Sequence, residues 1–289
     1  MAVTYPRKFR NQLSAQDVLD QVVRDRTAHM ATLNRYRFSE QRSCKDLTET
    51  IEALNGEPPA LVRDLSHHIV DEARHAAWLT DLLCDLGESV GMPPGGVYID
   101  EFTRLVPSAT EVTATDKALG TLAAINVAEK RGCEYFAAHI RALDKAPQTA
   151  ENQAIRDTIA KILPEEAGHV RWGNRKLAEL AQQSPEMRTK VEQAKQKYMA
   201  IEQAAFESGM DILAGAELRR MENVLKVAET LPVWERPQYL LEKLPEALLA
   251  PDLQRTRLDV LQKAWQRDPV AFFSKFLPMF LSGTPQTAA

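Results

Sequence analysis

Four glutamates and two histidines occur along this chain within two short patterns, each of which is used twice. An acidic residue followed by Glu-Ala-x-His-x-x-Trp occurs at residues 71–78 and again at residues 165–172. The pattern Glu-x-Arg-x-Cys occurs at residues 40–44 and again at residues 129–133. The two patterns alternate along the chain, and their copies lie 94 and 89 residues apart, respectively. Duplication of a helical hairpin is the simplest explanation of this order.

The residue types and their spacing indicate metal binding. Glu and His three positions apart lie one turn apart on one face of a helix, where both can bind the same ion. Four carboxylates in an apolar core are unstable unless cations neutralise them, and a mixed carboxylate and imidazole set suits iron or manganese. The sequence therefore predicts two bound iron ions, with manganese or a mixed pair left open. The six expected ligands are Glu40, Glu72, His75, Glu129, Glu166 and His169.

The elements that must position these side chains are predicted to be helices, so the fold class is expected to be all-α. Residues that favour helices dominate the composition. Apolar periodicity and Gly or Pro breaks predict four long helices, at about residues 15–54, 60–87, 113–146 and 151–183. Each repeated glutamate lies about 15 to 19 residues from its short loop, so each hairpin brings its two patterns to the same height.

The C-terminal third is expected to form a separate helical extension. The predicted division places a metal-binding bundle at residues 15–184 and additional C-terminal helices, packed on the bundle, at residues 185–289. Ser184 and Pro185 form a favourable helix start. Five further prolines divide the extension, and residues 264–281 are interpreted as a packing helix rather than a membrane contact. The extension would cap the bundle, shape a pocket or build the interface of a homodimer.

Composition and charge exclude several classes of protein. The net charge is −4 with both signs interspersed, so there is no basic stripe for general nucleic-acid binding. No apolar run is long enough to span a membrane, and the N-terminus lacks the apolar core of a secretory signal, so a cytoplasmic protein is expected. Three cysteines without a CxxC pair exclude a four-cysteine iron centre, and Cys44 and Cys133 are interpreted as small buried residues.

The order Glu, Glu-x-x-His, Glu, Glu-x-x-His resembles that of the ferritin-like di-iron carboxylate superfamily, over residues 15–183. The resemblance implies a ferritin-like four-helix bundle, whose short, long, short connections match those predicted here. It implies that each half of the duplication serves one side of the metal pair, and that one carboxylate of each half bridges the metals. It also implies that Asp71 orients His169 and that Glu165 orients His75.

Two shorter similarities favour an enzyme. The string Asp71-Glu72-Ala73-Arg74-His75 looks like the helix motif of di-iron oxygenases, and residues 129–136 are similar to part of the tRNA isopentenyladenosine hydroxylases. The resemblance thus implies an oxidase or oxygenase that activates O2 and oxidises or hydroxylates a small organic substrate. The four glutamates would take part in the catalysis, and an external donor would supply electrons. The alternatives are a ferroxidase or metal-storage protein and a di-manganese catalase, neither of which needs an organic substrate.

Several residues near the patterns keep two interpretations. Gly132 and Gly168 would either open space beside the metals or allow close helix packing. Tyr36, one turn before Glu40, is interpreted as a packing residue, although a redox role is also compatible with its position. Glu202 is the remaining C-terminal carboxylate considered as an extra ligand. The other histidines lack counterparts in the opposite half and are interpreted as structural or surface residues: His29, His67, His68 and His139.

Overall fold

A computed structural model describes residues 15–93, 98–106, 113–207, 221, 223–247, 265–266, 269–271 and 273. Every regular element in these ranges is a helix, which confirms the all-α prediction. Within the same ranges, no helix is both long and apolar enough to cross a membrane.

The first helical hairpin is preceded by a short separate helix. Helix α1 spans Ala15–Val22, α2 spans Arg26–Leu54 and α3 spans Pro59–Asp85. The prediction of one continuous helix over residues 15–54 is therefore wrong. The chain turns before α2, where the side chain of Asp25 accepts a hydrogen bond of 3.0 Å from the backbone N–H of Ala28. This cap satisfies a backbone donor that a continuous helix would have paired internally.

The long crossover contains a helix that the sequence did not predict. Helix α4 spans Tyr98–Leu105 and packs against α2 and against helix α7 of the C-terminal region (Pro185–Glu207). The side chains of Ile99 and Phe102 on α4 are buried. Residues 94–97 and 107–112 of the crossover lie outside the described residues.

The second hairpin agrees closely with the prediction. Helix α5 spans Ala114–Lys145 and α6 spans Ala150–Ala181. Threonine side chains cap both starts, since Thr113 and Thr149 each accept a hydrogen bond of 3.1 Å from a backbone N–H in the first turn. Helix α6 continues through Pro164, which lies two residues before Glu166.

The C-terminal region begins with a long helix that packs on the bundle. The hydroxyl oxygen of Ser184 accepts a hydrogen bond from the N–H of Met187 at the start of α7, as the Ser-Pro signal predicted. Helix α7 contacts α4, α5 and α6. Residues 223–230 and Arg236–Lys243 are also helical. The helix expected at residues 264–281 falls mostly outside the described residues.

The long helices enclose two apolar clusters with a polar layer between them. Helix α2 packs along α3, and α5 along α6, while α3 also contacts α6 and α2 contacts α5. One cluster is built around Leu33, Leu79 and Ile159, and the other around Leu47 and Leu122. On each of the four helices, the repeated glutamates and histidines lie in the sequence between the residues of the two clusters. Packing of the apolar ends therefore holds the polar segments against one another.

Candidate metal centre

All six predicted ligands lie in this polar layer, and all are buried. Their exposed fractions are 8% for Glu40, 2% for Glu72, 0% for His75, 9% for Glu129, 3% for Glu166 and 9% for His169. Each comes from the middle of a long helix, so its backbone is fixed by regular hydrogen bonds on both sides. The layer thus collects four carboxyl groups and two imidazoles away from bulk water.

One group of potential ligands combines residues from both hairpins. Single ligand atoms of Glu40, Glu72, His75 and Glu166 all lie within 4.8 Å of one another. The Nδ1 atom of His75 is 2.9 Å from Oε1 of Glu166 and 3.4 Å from Oε2 of Glu40. The expected assignment of Glu166 to the opposite side of the pair differs from this arrangement.

A second group lies beside the first and shares Glu72 with it. Its members are His68, Glu72, Glu129 and His169, again with ligand atoms within 4.8 Å of one another. The Nδ1 atom of His169 is 3.5 Å from Oε1 of Glu72 and 3.7 Å from Oε2 of Glu129. Because Glu72 belongs to both groups, it is the residue in position to bridge two ions.

His68, which the sequence analysis interpreted as a structural or surface residue, is buried and belongs to the second group of potential ligands. Its side chain is buried, and its Nε2 atom lies 3.1 Å from a carboxylate oxygen of Glu72 and 3.1 Å from one of Glu129. The missed signal was the spacing of four residues to Glu72, which places both side chains on one face of α3. The comparison of the two halves concealed it, because Ile162 stands four residues before Glu166.

The other histidines lie outside the two groups. His67 is exposed. His29 and His139 are buried together, with their Nε2 atoms 2.8 Å apart, and burial lowers the pKa of His29 to about 4. Two buried neutral imidazoles that share one hydrogen bond agree with their structural interpretation.

The expected orienting carboxylates contact the expected histidines. The Nε2 atom of His169 lies 3.2 Å from Oδ2 of Asp71, and that of His75 lies 2.9 Å from Oε2 of Glu165. An Nε2–H that donates to a carboxylate leaves the Nδ1 lone pair facing the ligand groups. Arg74, which the sequence did not single out, donates hydrogen bonds of 2.6 Å to Asp71 and to Glu165 and so links the two.

Three buried atoms of the layer are compatible with bound cations. Oε1 of Glu166 and Nδ1 of both His75 and His169 form no hydrogen bond of acceptable geometry with the described residues, although the first two atoms lie 2.9 Å apart. These atoms face the carboxylates of the two groups, where a metal ion would bind them. A buried polar atom without a partner costs free energy, and metal binding removes that cost.

The charges of the layer lead to the same conclusion. Burial, followed by the charge of Glu72, raises the pKa of Glu40 to about 8. Burial and the charge of Glu129 raise the pKa of Glu166 well above its ordinary value. Burial alone would also raise the pKa of Glu129, but hydrogen bonds from Glu166, His169 and His68 hold it well below the usual range. Without cations, protons must therefore neutralise part of the layer, and the two groups of potential ligands are where metal ions could take their place.

The remaining singled-out residues differ in their distance from the ligands. A Cβ atom on Gly132 would stand 3.6 Å from Oε2 of Glu166, so this glycine borders the site, whereas one on Gly168 would meet Arg171.

Cys44 and Cys133 are half-buried and belong to neither group. Tyr36 packs edge-on against Phe136, in agreement with a packing role. Glu202 accepts hydrogen bonds from Arg131 and is not a member of either group.

A cavity of about 710 Å³ reaches the site from one side. It lies between α2, α4, α5 and α7, and Glu129 is among the residues that line it. The candidate metal centre is thus connected to a space large enough for an organic molecule.

No protein-family model matches the chain, and searches of curated proteins and of solved structures found no significant similarity. The superfamily resemblance therefore depends on the ligand pattern itself.

Proposed function

We propose that this chain is a di-iron oxidase or oxygenase built on a ferritin-like bundle. Two iron ions would be bound by the six predicted ligands and His68, with Glu72 between them. Bound ferrous iron would supply the electrons for reducing dioxygen, and an external donor would restore them. The reaction would oxidise or hydroxylate a small organic substrate.

One observation carries the proposal: seven buried ligating side chains form two groups that share a single carboxylate. Each group offers carboxylate oxygens and at least one imidazole nitrogen, a donor set that suits iron or manganese. Asp71 and Glu165 contact the Nε2 atoms of His169 and His75, respectively. The Nδ1 atoms of the two histidines then face the glutamates of the two groups. A buried cluster whose histidines are oriented by further carboxylates is typical of a metal site rather than of surface ion pairs.

The cavity favours an organic substrate over the alternatives. A ferroxidase or a metal-storage protein needs only a path for ions, and a di-manganese catalase needs one for peroxide. Here Glu129 is among the residues that line a cavity of about 710 Å³ with largely apolar walls. Such a space serves a substrate larger than an ion or peroxide.

The test is metal analysis of the purified chain, followed by an anaerobic ferrous titration and exposure to oxygen. We expect about two irons per chain and an absorbance change that requires oxygen, as in other carboxylate-bridged sites. Glu40→Ala and Glu129→Ala should each reduce the bound iron. Glu52→Ala, an exposed glutamate on the same helix as Glu40, serves as the matched control and should retain it.

Three other results would overturn the proposal. Two manganese ions with gas evolution from peroxide would indicate the catalase. Iron oxidation within a large cage, seen by native mass, would indicate a ferroxidase. A folded chain that takes up no metal would leave only a helical scaffold.

A further inference from the structure

The two halves of the duplication match beyond the metal-binding pattern. Glu40 of α2 corresponds to Glu129 of α5, at an offset of 89 residues. With the same offset, three apolar residues further along α2 recur on α5: Ile51, Ala53 and Leu54 recur as Ile140, Ala142 and Leu143. Helices α2 and α5 can therefore be compared residue by residue, and each half serves as an internal reference for the other.

In one half, aromatic side chains pack together between the two helices. Tyr36 on α2 contacts three rings of α5, and its ring centroid lies 5.0 Å from that of Phe136, 5.7 Å from that of His139 and 6.4 Å from that of Tyr135. The side chains of Phe136 and His139 are buried. These four rings therefore fill the space beside the polar layer in this half.

In the other half, smaller side chains occupy the four corresponding positions. The counterparts of Tyr36, Tyr135, Phe136 and His139 are Ile125, Asp46, Leu47 and Thr50, and all four of these line the cavity of about 710 Å³. Leu47 and Ile125 belong to one apolar cluster, and their counterparts belong to the other. Because protein interiors are close-packed, four rings replaced by smaller side chains leave a space. The cavity thus lies where rings close the equivalent space.

The cavity begins at the polar layer. Glu129 lines it on α5, and on α2 it is lined by Ser43, which lies one turn beyond Glu40 on the same face. From there it extends along α5 past Ala124 to Gly120. The space that the smaller side chains leave open therefore reaches the candidate metal centre.

The buried part of the cavity wall is apolar apart from Glu129. Its other buried residues are Leu47, Leu54, Ile99, Phe102, Leu119 and Tyr198. The remaining charged residues of the wall are half-buried or exposed: Asp46, Glu49, Asp116, Lys117 and Lys197. An ion without a partner is costly to bury, whereas apolar surface is favourable to bury. The wall therefore fits a molecule without charge.

We propose that this cavity binds an uncharged apolar organic molecule, and that the smaller side chains of Asp46, Thr50 and Ile125 create the site in one half of the duplication only. The molecule would lie along α5, with one end beside Glu129. As a statement about substrate, this inference rests on the proposed oxidase function; as a statement about binding, it does not.

A series of straight-chain alcohols tests whether the bound molecule is buried between apolar walls. Pentan-1-ol, hexan-1-ol, heptan-1-ol and octan-1-ol are titrated calorimetrically into the purified full chain. Each additional CH2 group should raise the affinity about fourfold, which is the effect of transferring it from water to an apolar site. Absence of octan-1-ol binding to the folded wild type, or an affinity that does not rise with chain length, would overturn the inference.

The other half of the duplication supplies the variant that locates the site. Asp46→Tyr, Leu47→Phe, Thr50→His and Ile125→Tyr, combined in one chain, place the four rings in the cavity and should abolish binding of octan-1-ol. Circular dichroism verifies that this four-ring variant is folded. If it does not fold, Ile125→Tyr alone should lower the affinity at least about tenfold, because one ring already occupies part of the space.

A matched control places two of the same rings outside the cavity. Lys45→Tyr combined with Thr48→His changes exposed positions of α2 that do not line the cavity, and it should bind octan-1-ol as the wild type does. Unchanged binding in the folded four-ring variant, or an equal loss in this control, would show that the alcohol binds elsewhere and would overturn the inference.

The two proposals can fail separately. Iron uptake is measured on the same preparations, and the four-ring variant retains every potential ligand, so it should bind as much iron as the wild type. Iron binding without alcohol binding would remove the inferred substrate class and leave the metal centre. Alcohol binding without iron would support the cavity as a binding site and overturn the oxidase.

Discussion

At the scale of single residues, the two groups of potential ligands differ in the number of imidazole nitrogens that they offer. One group offers His75 alone, and the other offers His68 and His169, whose ring centroids are 3.7 Å apart. His68 comes from the same helix as Glu72, so α3 supplies both groups. Metal binding by the second group is therefore expected to depend on His68, which was not among the six ligands predicted from the sequence.

Removing His68 should therefore empty one position selectively. We expect His68→Ala to reduce the bound metal from about two ions per chain to about one, because one group loses a nitrogen ligand and the shared carboxylates remain. Metal analysis after dialysis measures this. The exposed neighbour provides the control, since His67→Ala should keep both ions. Retention of two tightly bound ions by His68→Ala would contradict a ligand role.

The orienting carboxylates act through the histidines that they contact. Asp71→Asn keeps the shape of the side chain but replaces a charged acceptor with a neutral amide, which weakens its hold on the N–H of His169. We expect metal affinity to fall about 10- to 100-fold. Competition with a chelator measures the change. Asp81→Asn, at an exposed position of the same helix, should have no effect, and an equal loss in both variants would exclude a specific role for Asp71.

At the scale of elements, α7 is attached to the bundle by a buried ion pair. Arg131 on α5 donates hydrogen bonds to Glu202 on α7, at 2.6 Å from Nε and 3.1 Å from Nη2. The hydroxyl of Tyr98 on α4 donates to the same carboxylate at 3.4 Å. These contacts join three helices, two residues along α5 from Glu129.

Truncating this pair should destabilise the fold. Glu202→Ala removes the buried carboxylate partner of Arg131, whose partly buried guanidinium keeps its ion pair with Glu134, and such a loss typically costs about 2 kcal/mol. Chemical denaturation measures the free energy of unfolding. Glu192→Ala breaks an exposed pair with Lys195 on the same helix and should cost no more than about 0.5 kcal/mol. Similar losses in the two variants would show that the buried pair does not anchor α7.

At the scale of the whole molecule, the proposed metal binding would be coupled to folding through the polar layer. The layer separates two apolar clusters, so all four long helices must bury carboxyl groups at the same height. In the metal-free protein, protons on Glu40 and Glu166 neutralise part of the layer, because burial raises the pKa of both carboxyl groups. The pKa of Glu40 rises from 4.5 to about 8, and hydrogen bonds to Glu129 and Glu72 outweigh burial and raise the pKa of His68 to about 10.

The stability of the metal-free protein should fall as the pH rises. A group whose pKa is raised by folding binds more protons in the folded state, so its stabilisation is present below the unfolded pKa and lost as the pH passes the folded one. For Glu40 this window runs from about 4.5 to about 8. Thermal unfolding at several pH values, with and without metal, measures the effect.

Two comparisons make this prediction specific. Bound metal should remove most of the loss at high pH, because the cations replace the protons and bind only the folded state. Glu40→Gln should flatten the pH dependence of the metal-free protein, whereas Glu52→Gln at an exposed position should leave it unchanged. A stability of the metal-free wild type that rises between about pH 5 and about pH 8 would contradict the assignment.

The sequence by itself determined the features that act within one helical turn. Helix-favouring residues and Gly or Pro breaks predicted the all-α fold and the ends of α3, α5 and α6, since capping and backbone restriction are local. The spacing of three residues between Glu and His predicted four residues of the layer, and the repeated Glu-x-Arg-x-Cys pattern predicted the other two. The structure brings all six into one buried layer. The extra turn at Asp25 is equally local, but the longer apolar pattern concealed it.

Only the tertiary structure decided how residues distant in the chain are combined. His68 enters the layer because one face of α3 meets α5 and α6, and the comparison of the two halves held no sign of it. Three further features also depend on which helix faces meet: the grouping of Glu166 with Glu40 and His75, the link through Arg74, and the cavity that Glu129 lines. That choice follows from the packing of whole apolar clusters, which is a sum over many distant contacts rather than a property of any short segment.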